Sequence, residues 1–174
     1  DVAELLMAAG ADDAAKDGEG ETPAHYALRE KRISDREDMG KKAAVLKELK
    51  RLDIPRNDGK TPLMLLRYAH RELLPIFLER GVDVNHRDNA GRTAIMLNPD
   101  KDMVKELVRA GADVNLVDNG GNTALHHALR EYNEGTARYL IKKGADYNRT
   151  NNDGKTAADI AVERGFESVL ELMV

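Results

Sequence analysis

His126 and His127 are the residues of this 174-residue chain best suited by type to shuttle a proton or hold a metal, and they stand in an otherwise acidic and polar sequence. Adjacent positions on a helix point about 100° apart, so the two rings cannot chelate one ion together. No pair of histidines has the i,i+4 spacing that metalloproteases use. His25 has the same sequence surroundings as His126, while His70 and His86 are isolated and read as exposed polar residues. Serine occurs only at Ser34 and Ser168, neither in a glycine-flanked elbow. The absence of cysteine excludes disulfides, thiolate zinc sites and cysteine nucleophiles. No glycine-rich loop leads into Lys-Ser or Lys-Thr, so Gly18-Glu19-Gly20 and Gly120-Gly121 read as turns rather than a phosphate cradle. Carboxylates are plentiful, but Asp83, Asp113 and Asp146, like Asp17, Asp88 and Asp118, recur at fixed offsets, as structural residues do. A non-enzymatic chain with no catalytic residue, cofactor or metal is the expectation.

The same regularity runs through the whole sequence. A glycine, one variable residue, then threonine followed by alanine or proline occurs at Gly20-Glu21-Thr22-Pro23, Gly59-Lys60-Thr61-Pro62, Gly91-Arg92-Thr93-Ala94, Gly121-Asn122-Thr123-Ala124 and Gly154-Lys155-Thr156-Ala157. The threonines are 39, 32, 30 and 33 residues apart. A second phrase precedes the threonine by a nearly constant interval: GVDVN at Gly81–Asn85, GADVN at Gly111–Asn115 and GADYN at Gly144–Asn148, with Gly10-Ala11-Asp12 beginning likewise. Two phrases locked in register at a period near 33 residues mark a structural repeat.

Between each threonine and the next glycine lie two short apolar-periodic segments. In the fourth copy, Leu125, Ala128 and Leu129 share one face of a first helix, and Ala137, Leu140 and Ile141 share one face of a second. Threonine, twice followed by proline, suits an N-cap, and the glycine after the second helix suits a left-handed C-terminal cap. Segments with Asp-Gly steps between the repeats read as projecting hairpin-like loops. Helix pairs this small bury their apolar faces only by stacking on the next copy.

These residues resemble the ankyrin-repeat family, best of all in the copy from Thr123-Ala124-Leu125-His126 through Gly144–Asn148, and the resemblance covers all but about ten residues after Lys31. It implies an all-α ankyrin-repeat solenoid of stacked helix-turn-helix pairs with β-hairpin-like loops, spanning 1–174 as one domain. The repeats fall at 22–60, 61–92, 93–122, 123–155 and 156–174, after a partial repeat at 1–21. It implies a structural hydrogen-bonding role for His126 and His25. It further implies a protein-protein interaction module whose groove of loops and first helices binds a protein partner as a scaffold or recruitment surface. The partner positions carried over include Arg67, Tyr68, Arg87, Asn89, Arg92, Asn119, Asn122, Arg130, Glu131, Asn152 and Lys155, and in the first loop Lys16, Gly18, Glu19 and Glu21. Among these Arg67, Tyr68, Arg87, Arg92 and Arg130 are of the types that dominate binding energy. Asn85, Asn115 and Asn148 match the asparagine hydroxylated in similar repeats. The alternative is a regulatory ankyrin segment of a larger enzyme whose catalytic domain lies outside this chain.

Composition agrees with a protein partner. A net charge of -4 gives no attraction to phosphate backbones, and 33% charged residues leave no apolar run able to cross a bilayer. An intracellular, cytoplasmic monomer is the expectation. Residues 11–21 hold five acids against one base, whereas 50–60 hold four bases against two acids, a gradient that could steer a partner.

Three departures carry expectations of their own. The first full copy contains extra residues, Arg29 to Lys42, whose mixed charges read as a solvated loop or helix extension, and Leu49 to Asp53 replaces its closing glycine phrase. In the third copy Asn98-Pro99-Asp100 ends the first helix by Leu97 or Asn98, with Asp100 or Asp102 capping the next. Pro75 fits the first turn of a second helix. At the ends, Asp1–Ala9 aligns with a second helix, and the chain stops within the second helix of the fifth repeat, so further repeats or a cap are expected upstream.

Overall fold

Each of the five recurring threonines begins a helix. A computed structural model describes residues 10, 12–29, 36–98, 100–131 and 133–173, and the helix expected over 1–9 lies outside them. Thr22, Thr61, Thr93, Thr123 and Thr156 are the N-caps of α1 (Pro23–Leu28), α3 (Pro62–Leu65), α5 (Ala94–Leu97), α7 (Ala124–Arg130) and α9 (Ala157–Arg164). The second helices are α2 (Arg36–Glu48), α4 (Leu74–Glu79), α6 (Lys101–Arg109), α8 (Glu134–Lys142) and α10 (Glu167–Leu170). A 3₁₀ helix, Tyr68–Leu73, precedes α4. As the pattern requires, α5 stops at Leu97, Asp100 caps α6 by accepting the Met103 amide at 2.9 Å, and Pro75 lies in the first turn of α4.

The second helices stop as the glycines dictate. At the end of α6, Gly111 (φ 95°) lets its own amide reach Val108 O at 3.1 Å and the Ala112 amide reach Leu107 O at 2.9 Å. That pair of bonds satisfies carbonyls left over at the helix end. Gly144 performs the same closure on α8. Where the glycine is missing, after α2, arginine does the work: the Arg80 guanidinium donates to Leu49 O and Lys47 O, and Asp13 accepts the Lys50 amide at 2.6 Å.

The described contacts gather into two units, 1–83 and 84–174. In the first, α1 packs on α2 and α3, and α2 packs on α4 and the 3₁₀ helix. In the second, α5, α7 and α9 stack as one layer, and α6, α8 and α10 as the other. Leu107, Leu125, Leu129, Ala137 and Leu140 are fully buried between them. Small and aliphatic side chains let successive pairs approach alike, and truncating one such leucine to alanine costs about 2–5 kcal/mol.

Two expectations change. The mixed-charge stretch after Arg29 takes the helix-extension form in its described part, 36–42, which opens α2, but it is not wholly solvated, with Met39 buried and the Lys42 ammonium turned in to donate to Arg29 O at 3.2 Å. Residues 30–35 lie outside the described part. The loops, too, are tight turns rather than paired strands. Among the described residues there is no sheet, only one bridge between Thr150 and Thr156.

Candidate protein-interaction surface

The loop turns are built from the first residue inward. In the fourth turn, Asp118 accepts the amides of Gly120 and Asn122 on Oδ1, at 2.9 and 2.8 Å, while its own amide donates to Asn122 O. Such self-bonding is what short acids and amides do in turns. Asp17, Asp88 and Asn151 act identically in the first, third and fifth turns. The second turn has Arg56 at this place, so Asp58 takes over, accepting the Lys60 amide at 3.1 Å and both Arg56 donors at 2.7 Å. The Arg56 bond, and after it Lys60, holds the Asp58 carboxyl far below its ordinary range.

The second residue of the turn ties one loop to the previous one. Asn119 donates its amide to Ala90 O at 2.9 Å and its side chain to Asn89 O at 3.0 Å; Asn152 repeats this on Gly120 O and Asn119 O, and Asn57 on Glu19 O and Gly18 O. Gly20, Gly91 and Gly121 leave the room that this ladder needs. A Cβ on Gly121 would lie 2.8 Å from Asn152 Oδ1 and 3.0 Å from its amide nitrogen, in addition to the strain of φ 74°.

A second ladder uses the asparagines that end the GVDVN and GADVN phrases. Asn85 donates to Gly111 O and accepts the Asp113 amide; Asn115 donates to Gly144 O and accepts the Asp146 amide. Both carboxamides are thus engaged at both ends, while the equivalent Asn148 is exposed.

The histidines set the angle between turn and helix. Thr123 donates from its amide (3.2 Å) and hydroxyl (2.8 Å) to His126 Nδ1, and His126 Nε2 faces Lys155 O at 3.3 Å. That arrangement fits one species, the neutral ring protonated on Nε2. Burial pushes His126 below its ordinary value of 6.5. His25 does likewise between Thr22 and Lys60 O. His70, expected at the surface, is buried: the chain leaves α3 after one turn and re-enters a 3₁₀ helix, which carries the ring inward where its Nδ1 meets the Arg67 amide. His127 bonds Asp118 Oδ2 at 2.9 Å, as Tyr26 bonds Asp17 Oδ2 at 2.6 Å. Burial raises the Asp118 carboxyl, but the Asn122 amide and His127 outweigh it and leave it lowered.

The structure sorts the proposed contact residues into those committed to the fold and those whose heads remain exchangeable. Asn122 is buried, bonding Asp118 and Asn151, and so is not at the surface. Arg92 grips buried Asp88 through two nitrogens, Arg87 bridges Gly91 O and Val117 O, and Arg67 closes on Met64 O and Leu66 O. Asn119 and Asn152 belong to the loop ladder, though they are exposed, as are Asn89 and Glu131. The Tyr68 side chain lies outside the described part. Arg130 and Lys155 differ, because their partners are the exposed side chains Asp153 (3.1 Å) and Glu163 (2.7 Å).

The charge gradient between the first two loops is partly consumed within the fold. Glu21, only 4% exposed, sits between Arg29 (2.6 Å) and Arg56 (3.2 Å), and Lys16 donates to Pro55 O. Sequence reasoning missed Glu21, Asp13, Arg80 and Asn151 as load carriers. The opposed composition of 11–21 and 50–60 was the available signal for Glu21, through Arg56.

Among the described residues no cluster of three histidines or carboxylates could hold a metal, and no helix is long and apolar enough to cross a membrane. A family profile described as ankyrin repeats in three copies matches residues 93–174, and one described as ankyrin repeat matches residues 58–89. Comparison with curated proteins gives no match.

Proposed function

Since the chain belongs to the ankyrin-repeat family, whose repeats are generally protein-protein interaction modules, we propose that it recruits a protein partner along its loop turns and first helices and performs no chemistry itself. The observation that supports this most is the division of labour within each turn. Backbone and asparagine side chains are spent fixing the loops to one another, while neighbouring side chains such as Asn89, Glu131 and Asp153 stay exposed on a rigid frame. A surface fixed before binding loses little conformational entropy on association.

The test is paired affinity capture from extract of the source cell. Arg130→Glu with Lys155→Glu alters the loop and first-helix side of 84–174. Lys105→Glu with Arg109→Glu makes the same change of charge on α6. Partners lost with the first pair and kept with the second support the reading. Partners kept by both place the interface elsewhere.

A further inference from the structure

A cleft of about 410 Å³ opens between α7, the turn 151–155 and α9, lined by Arg130, Asp153, Lys155, Ile160, Glu163 and Arg164. We propose that it is the carboxylate-binding subsite of the interaction surface. A glutamate or aspartate side chain of the partner enters it and takes over Arg130 and Lys155 from Asp153 and Glu163. The proposal rests on the interaction reading above and names the chemistry of the residue bound.

Three features carry it. First, three of the six residues lining the cleft are cations, Arg130, Lys155 and Arg164, the charge that attracts an acidic side chain. Second, its present ion pairs are exchangeable. Asp153 and Glu163 have side chains 70% and 51% exposed, so releasing them returns them to water at little cost. By contrast, a ligand carboxylate drawing Arg92 away would strand Asp88, whose side chain is 1% exposed, and a buried charge without its partner is strongly unfavourable. Third, the walls are fixed in advance. Lys155 is held through its carbonyl by His126 and through its amide by buried Asn151, and buried Ile160 supplies an apolar wall for the methylenes of an acidic side chain.

Asp153 and Glu163 therefore act as place-holders, and removing either should tighten an acidic ligand. The whole chain carries a net charge of -4, so non-specific electrostatics work against such a ligand, and binding reports the cleft.

The experiment uses the full 174-residue chain and a fluorescein-labelled 12-residue peptide, alanine-rich with a central Glu-Glu pair, followed by anisotropy at low salt, beside an otherwise identical Gln-Gln peptide. The wild-type chain is expected to prefer the Glu-Glu peptide. Asp153→Asn and Glu163→Gln should each tighten it about threefold, the scale of one exposed ion pair. Arg130→Gln with Lys155→Gln should abolish the preference, with thermal unfolding confirming that this variant still folds. Equal binding of the two peptides up to about 1 mM, a preference that survives the double variant, or weaker binding by the place-holder variants would overturn the proposal. If the capture experiment still loses its partners with Arg130→Glu and Lys155→Glu while the peptides bind equally, the interaction reading stands and only the carboxylate chemistry falls.

Discussion

The junction between the first two loops and the junction between the last two carry the same asparagine ladder yet are held in different ways. At the later one, neutral groups do the work: Asn151 and Asn122 bond each other while buried, and His126 spans from Thr123 to Lys155 O. At the earlier one, His25 makes the same span, but Arg56 displaces the turn-forming acid, and charge fills in, with Glu21 clasped by two arginines and Asp13 accepting from the α2 end. A repeat thus tolerates loss of its signature residues when the neighbouring loop supplies a complementary charge. The consequence for binding is that Arg29 and Arg56 are committed to a buried carboxylate, whereas Arg130 and Lys155 pair with exposed side chains that can leave.

The largest effect that would test the ladder comes from its glycines. Gly121→Ala combines a left-handed φ with a collision on Asn152, and should cost about 3 kcal/mol or more in urea unfolding. Gly144→Ala shares the left-handed φ of 85° but meets nothing within 4 Å, so about 1 kcal/mol is expected. Equal losses would mean that the turn glycines serve backbone conformation alone. Next in size, His126→Ala leaves the Thr123 amide and hydroxyl without their buried partner and should cost about 2–3 kcal/mol.

Acid should find these histidines first. Both His25 and His126 are depressed in the folded chain, chiefly by burial, so the unfolded chain takes up protons before the folded one. Stability is full above the ordinary value of 6.5 and falls as pH drops from there toward the folded values. Asp58 and Asp118, held low by their bonds, add a second loss only as pH falls through the ordinary carboxyl value of 3.8 and below. Urea midpoints at pH 7.5, 5.5 and 4.5 check the first step, and His126→Ala should flatten it.

How much of this was legible follows from range. The period, the threonine caps, the glycine stops and the early end of α5 at Leu97 depend on residues within a few positions of one another, and sequence displays them directly. Arg92 and Arg67 also close on near neighbours, but other arginines do not: Arg87 meets Val117 O, Arg80 meets Leu49 O and Arg56 meets Glu21, each some 30 to 35 residues away, and composition cannot show a cation's partner at that distance. His70 was misplaced for a related reason. Its burial follows from the break after α3, which shifts helical phase in a way that periodicity, read on an unbroken helix, does not register.

A smaller effect separates the two ladders. Asn115→Ala removes the bond to Gly144 O and the one from the Asp146 amide. Both lie at the exposed edge, where water substitutes, so about 1 kcal/mol is expected, well below Gly121→Ala. A larger loss in urea unfolding would make this second ladder the dominant one.

The smallest effect is a gain, and it isolates what histidine contributes to the better repeats. Thr93 caps α5, yet its hydroxyl is buried without a hydrogen-bond partner, because Met96 occupies the place that His126 holds after Thr123. Asn122 O, which accepts the Asp118 amide, holds the repeat position at which Lys155 O receives His126. Met96→His should therefore close the cap and gain about 1 kcal/mol, less the apolar burial of the lost methionine. Paired Thr→Val substitutions separate the contributions: at Thr93 the exchange deletes an unsatisfied hydroxyl and should be neutral or stabilising, while at Thr123 it breaks a bond to His126 Nδ1 and should cost about 1–2 kcal/mol. Equal losses at the two sites, read from urea midpoints, would mean that the threonine acts through its backbone preference and that the histidine adds nothing to it.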